Sequence, residues 1–193
     1  IADLLVGAAA PSGRLVVSFP RCEGQIPIYY AHKNTGRPAE GEGVFQFDRR
    51  HRSVYLDESH LPQFPFGYGL SYTTFAYSDL RVETSEVPLD GVVVVTAEIA
   101  NTGARAGEET VQCYVRDLVG NVTRPVKELK GFQRIALQPG ERRRVRFEIP
   151  VQSLGFHDLE LRYGVEPGDF HVWIGPHAAE GLQGKFTVTH QQS

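Results

Sequence analysis

Methionine is absent from this 193-residue chain, tryptophan occurs once, at position 173, and cysteine only twice, at positions 22 and 113. Two cysteines so far apart cannot staple a fold of this size, so Cys22 and Cys113 are read as small buried hydrophobes rather than a bridge. Long apolar runs are missing as well. Leu4 to Ala10 and Val92 to Val95 fall well short of the roughly 18 residues that a membrane-crossing helix needs, and no membrane span is expected. Leu4 to Ala10 has the outline of a secretory signal's apolar region, but Asp3 stands where its basic flank belongs. The absence of methionine, position 1 included, points instead to a polypeptide that began further upstream. Positive charge is not in excess: 20 Lys and Arg against 23 Asp and Glu leave a formal charge of −3, which excludes a nucleic-acid binder held by bulk charge. The histidines are scattered singly, no His and Cys spacing matches a zinc site, and no metal or cofactor is assigned.

What the chain does have is apolar content and turns. Hydrophobic residues make up 41%, and 20 Gly with 12 Pro exceed the usual share of about 12% without reaching the 25–30% of low-complexity sequence. From Phe75 onward, short β-branched runs alternate with polar residues. Val93, Val95, Ala97 and Ile99 alternate with Thr96 and Glu98 until Asn101-Thr102-Gly103; Val111, Cys113 and Val115 follow. Pro139-Gly140 precedes Val145, Phe147 and Ile149, and Pro167-Gly168 precedes Phe170, Val172 and Ile174, with Phe186 and Val188 last. Period two means strand. With Tyr77 to Val82 and Val126 to Leu137, about seven strands result, the pattern of a two-sheet antiparallel sandwich.

The first thirty residues differ. Ala2 to Ala9 reads as the last turns of a helix stopped by Pro11-Ser12-Gly13, and Leu15 to Phe19 as an apolar strand, together half of an α/β unit. Such a half cannot bury its own faces. The expected organisation is therefore mainly β: residues 1–30 the tail of an α/β-sandwich domain, 31–74 a long irregular connection, and 75–193 the antiparallel sandwich.

Several motifs are specific enough to carry a resemblance. Pro11-Ser12-Gly13-Arg14-Leu15, Gly24-Gln25-Ile26-Pro27-Ile28-Tyr29-Tyr30, His32 and Thr35-Gly36-Arg37-Pro38 resemble the end of the second, α/β-sandwich domain of bacterial-type glycoside hydrolase family 3 β-glucosidases. Phe64-Pro65-Phe66-Gly67-Tyr68-Gly69-Leu70-Ser71-Tyr72 and Thr123-Arg124-Pro125-Val126-Lys127-Glu128-Leu129-Lys130-Gly131-Phe132 are similar to that family's junction and to landmarks of its fibronectin type III-like, immunoglobulin-like domain. The resemblance implies retaining hydrolysis of terminal β-D-glucosyl residues, with an Asp nucleophile on an N-terminal (β/α)8 barrel and a Glu acid/base on the second domain. It places neither in these residues, so no catalytic residue is assigned and the segment alone is expected to be inactive; retention needs two carboxyl groups about 5–5.5 Å apart. The expected partners are the barrel and the remainder of the α/β-sandwich domain, with glycan bound through them. Family 3 β-xylosidases share this tail, and the resemblance implies a periplasmic or secreted location.

Other candidates are weighed on the residues themselves. His32, Lys33 and Arg37 lie on a polar loop where open α/β folds put ligand contacts, and are candidates for substrate binding or for tying the loop down. Phe64, Phe66, Tyr68, Tyr72 and Phe75 crowd a glycine-broken stretch and are read as interdomain contacts rather than a sugar platform. Glu40 with Glu42, Asp57 with Glu58, and Glu108 with Glu109 are read as solvated. The run Arg142-Arg143-Arg144 with Arg146 is read as the wet half of a strand. Alternation turns Trp173 and Tyr114 to the outer face, against another domain, another subunit of a homo-oligomer, or a glycan. A non-catalytic carbohydrate-binding or adhesion module is the competing reading of the whole.

Overall fold

The computed structural model describes residues 1–39 and 51–190. Ten strands follow a one-turn helix α1 (Ala2–Leu5): β1 (Phe75–Val82), β2 (Glu86–Pro88), β3 (Val92–Asn101), β4 (Gly107–Asp117), β5 (Glu128–Leu137), β6 (Arg142–Pro150), β7 (Phe156–His157), β8 (Tyr163–Gly164), β9 (Gly168–His177) and β10 (Glu180–Thr189). A three-stranded sheet in the order β1-β3-β6 faces a five-stranded sheet in the order β2-β10-β9-β4-β5, and β7 with β8 makes a small separate pair. All pairings are antiparallel except β2 with β10. The chain is mainly β, a fibronectin type III-like sandwich.

The seven long runs of period two all become strands, because each supplies one apolar row to the space between the sheets. Val93, Val95, Ala97 and Ile99 of β3 and Val111, Cys113 and Val115 of β4 are buried there with Phe170, Val172 and Ile174 of β9. Phe170 and Phe186 stack with centroids 5.1 Å apart. Burying one such side chain fully stabilises the fold by about 1.5–3 kcal/mol. The β5–β6 connection is a tight turn in which Glu141 N–H bonds Gln138 O at 3.0 Å. Gly140 takes φ +77° there, the left-handed value that a turn with proline in its first central position asks of the next residue.

Two expectations for the opening segment are corrected. The helix covers only Ala2–Leu5, and Leu15 to Phe19 forms no strand; its sole ladder element is an isolated bridge from Phe19 to Phe64. A strand needs a neighbour on at least one edge, and none of the described strands lies beside this stretch. Its backbone groups turn to the junction instead: Leu15 N–H bonds Tyr68 O and Gly67 N–H bonds Leu15 O, each at 2.8 Å. Cys22 is exposed rather than buried: it stands at the N-cap of a single 3-10 turn, Glu23–Gln25, whose one buried residue is Gln25. Cys113 is buried in the core and neither thiol is bridged.

Candidate functional site: a seam on the outer sheet face

The alternation that sends Val111, Cys113 and Val115 inward turns Gln112, Tyr114 and Arg116 to the outer face of the five-stranded sheet. There Tyr114 pairs in register with Trp173 and Arg116 with His171. A tyrosine on an outer face would ordinarily be wet; Tyr114 is 0% exposed. The cover comes from the first 74 residues. Tyr30 meets Tyr114 edge to face at 5.9 Å and stacks on Phe66 at 4.2 Å, arrangements that aromatic quadrupoles favour.

Polar groups fix this cover in register. Tyr114 Oη–H donates to Gln112 Oε1 at 2.5 Å, while Gln112 Nε2 donates to Gly67 O at 3.1 Å and Pro176 O at 2.5 Å. Leu129 N–H donates to Tyr30 Oη at 3.2 Å. Burial pushes the Tyr114 phenol up, with Tyr30 adding to the shift. Lys127 Nζ donates to Ala178 O at 2.7 Å and lies 4.4 Å from the Trp173 ring centroid and 5.6 Å from that of Tyr114. Burial holds its ammonium down, at about 8. Gln25, buried and donating to Ser59 O and Leu61 O, knits the covering segment to itself.

The junction aromatics spread over several contacts. Phe64 stacks on Tyr68 and meets Phe19 edge-on, Tyr68 lies 5.6 Å from His177, and Tyr72 Oη–H donates to Leu4 O at 2.6 Å. Phe75 lies in β1 with its ring against the sandwich core. His32 and Lys33 form the segment's second attachment. Val126 N–H donates to His32 O at 2.9 Å, Lys33 bridges to Pro125, and both side chains line a cavity of about 610 Å3. Arg37 is exposed, and its carbonyl accepts Ser53 N–H at 2.9 Å.

One acidic pair departs from expectation. Glu108 is solvated, but Glu109 is 2% exposed at the end of the sandwich, where Arg14 Nη2 reaches its Oε2 at 2.8 Å and Tyr77 Oη–H donates to its Oε1 at 2.8 Å. Desolvation raises the Glu109 carboxyl, opposed first by the Arg14 charge and then by hydrogen bonds from Tyr77 and Arg14. Strand alternation already required one of the two acids to point inward; the partner that makes this tolerable sits 95 residues away and gave no local signal. Asp57 is exposed and Glu58 half-buried, its Oε1 accepting Ser59 N–H; Glu40 and Glu42 lie outside the described residues. The arginines of β6 are solvent-facing and paired, Arg142 with Glu98 and Arg143 with Glu141, each at 2.7 Å. Among the described residues no group of three or more His, Cys, Asp or Glu could hold a metal ion, and no helix is long and apolar enough to cross a membrane.

Sequence comparison matches residues 1–72 to the glycosyl hydrolase family 3 C-terminal domain and residues 109–178 to the fibronectin type III-like domain. The chain is 47% identical to a periplasmic β-glucosidase of Salmonella typhimurium over 97% of its own length and 24% of that protein, and 38% identical to a putative β-xylosidase of Formosa agariphila over 97% and 23%. In structure it is similar to a β-glucosidase from Listeria innocua solved in complex with glucose, with a TM-score of 0.88, 38% identity, and coverage of 97% of this chain and 25% of that one. The chain thus spans about a quarter of the length of the relatives it matches. With both domain matches and a fold similar to that of a family member over 97% of its length, this chain belongs to glycosyl hydrolase family 3, as a C-terminal portion of it.

Proposed function

We propose that this chain is the architectural C-terminal part of a retaining β-glucosidase that removes terminal β-D-glucosyl residues, its reacting carboxyl groups supplied by an N-terminal barrel and the remainder of the α/β-sandwich domain. Residues 1–30 are the tail of that second domain, 31–74 the interdomain connection, and 75–193 the sandwich; the enzyme works in the periplasm or outside the cell. The observation that carries this reading is the seam. A side chain that strand geometry assigns to the outer face, Tyr114, is fully buried with Tyr30 of the family 3 C-terminal domain segment packed edge-on against it, so the sandwich and that segment hold one another in a fixed relation. Rate depends steeply on the separation of two carboxyl groups carried by different domains, and a rigid brace protects it. The exposed apolar residues Val16, Val17, Ile26 and Leu70 are surface for the rest of the enzyme.

The test separates bracing from substrate contact. In the complete enzyme, Arg37→Ala, which keeps the backbone bond from Ser53 N–H, is expected to leave KM for an aryl β-glucoside unchanged; a rise in KM with an unaltered thermal midpoint would give Arg37 a substrate role. The isolated 193-residue chain is expected to show no turnover of the same substrate, and appreciable hydrolysis by it defeats the proposal.

A further inference from the structure

Between residues 28–32 and the outer sheet face lies a cavity of about 320 Å3, at the lower end of the roughly 300–1,000 Å3 that small-molecule sites occupy. Its walls include Tyr29, Tyr30 and Trp173, and its polar groups are His32, His60, Arg116 and Lys127. It shares His32, His60 and Arg116 with the neighbouring cavity that Lys33 also lines. Neither cavity has an Asp or Glu among its described lining residues.

The charge is one-sided where the rest of the fold is balanced. Arg14 meets Glu109, and Arg124 meets Asp117 and Glu128, as half-buried guanidinium groups generally require. Arg116 is also half-buried, yet among the described residues no carboxylate stands within salt-bridge reach of it. Lys127 spends one of its three donors on Ala178 O and turns its remaining charge to aromatic faces. Two cations lining one aromatic-walled space, with no carboxylate among its described lining residues, form a receptor for an anion carried on a ring. A guanidinium matches a carboxylate with two parallel hydrogen bonds, and indole and phenol faces pack against the apolar face of a pyranose.

We propose that this cavity binds a sugar ring bearing a carboxylate, a uronic acid free or at the end of an oligosaccharide, with Arg116 and Lys127 holding the carboxylate and Trp173 and Tyr29 packing on the ring. The choice of a sugar as the ring rests on the glycosidase reading above; the requirement for an anion does not. The site lies on the sandwich face and involves no bond making or breaking.

Calorimetric titration of the complete enzyme, with glucose saturating the catalytic pocket, tests it with three probes: glucuronate, additional glucose and benzoate. Glucuronate is expected to bind, glucose not, and benzoate at least tenfold more weakly. Arg116→Gln is expected to weaken glucuronate at least tenfold with the thermal midpoint retained, and Lys127→Met to weaken it as much while also lowering the midpoint, because it removes the bond to Ala178 O. Because Lys127 titrates near 8, binding at pH 8 should take up protons, and affinity should fall between pH 7 and 9.5. A glucuronate-terminated disaccharide binding as tightly as the monosaccharide supports a chain-end site. Absence of glucuronate binding, or binding that both substitutions leave unchanged, overturns the proposal. Benzoate bound as tightly as glucuronate removes the sugar while aryl-glucoside turnover by the same preparation still supports the glycosidase reading.

Discussion

Glu109 carries two demands that pull against each other, since its place at the end of β4 removes it from water and its charge requires a partner. Arg14, 11% exposed at its side chain, provides that partner from the opening segment. Removing one member of such a pair leaves an uncompensated buried charge, at a cost of about 3–5 kcal/mol, so Arg14→Ala is expected to destabilise the enzyme by that order at pH 8. The sign of the pH dependence follows from the raised Glu109 carboxyl. A folded-state acid that holds its proton to higher pH than the unfolded chain disfavours the folded state once the pH exceeds the unfolded value, and losing Arg14 raises it further. Protonated Glu109 needs no counter-ion, so the loss should shrink as pH falls through the raised value, and Arg14→Ala with Glu109→Gln should recover much of it. Thermal melts at pH 8 and pH 5 check this; an equal loss at both excludes the electrostatic account. The two thiols differ in the same physical sense. Burial pushes Cys113 up to about 12 and Cys22 is exposed, so native-state alkylation followed by peptide mass spectrometry should find Cys22 modified and Cys113 untouched until denaturant is added. The environments of Cys22 and Glu109 were not legible in the sequence, because exposure of a turn residue and the company of a buried acid are both decided by segments far away in the chain.

At the scale of elements, strands of nine to eleven residues such as β3, β4 and β6 announce themselves, because a long alternation has one face that must be buried and no other structure satisfies it. The strands β7 and β8, two residues each, are too short to show a period. Leu15 to Phe19 has the composition of a strand, but strand formation is a property of neighbours, and the junction offers it only isolated backbone bonds. The junction itself depends on glycine at a place where alternation is silent. Gly67 has φ +82°, and a Cβ there would lie 2.1 Å from Gln112 Oε1; Gly140 has a similar φ of +77° with open space around it. The left-handed backbone costs a non-glycine residue about 1–2 kcal/mol. Gly140→Ala should therefore destabilise by about that much and no more. Gly67→Ala should add the loss of the Gln112 hydrogen bonds, about 1–3 kcal/mol for buried groups left unsatisfied, for a total of about 2–5 kcal/mol. Equal effects of the two substitutions in urea melts would mean that Gln112 swings aside without consequence and does not pin the junction.

For the molecule as a whole, the seam and the sandwich core are two separate apolar contacts on opposite faces of one sheet, which makes their coupling measurable. Tyr114 faces the covering segment, while its neighbours Cys113 and Val115 face the core. Truncating an enclosed aromatic costs about 3–5 kcal/mol, and Tyr114→Ala removes only the outer contact, leaving every inward side chain of β4 in place. The expected result is regional. Amide exchange should accelerate at Leu15, Gly67 and Val126, whose N–H groups bond across the seam or within the covering segment, whereas amides of β3 and β6, paired in the opposite sheet, should keep their protection. If the segment then loosens while the sandwich stays closed, the bracing role proposed above requires that kcat for an aryl β-glucoside fall more than KM rises in the complete enzyme. Faster exchange spread evenly through both sheets would show a single cooperative unit, with no seam able to open by itself.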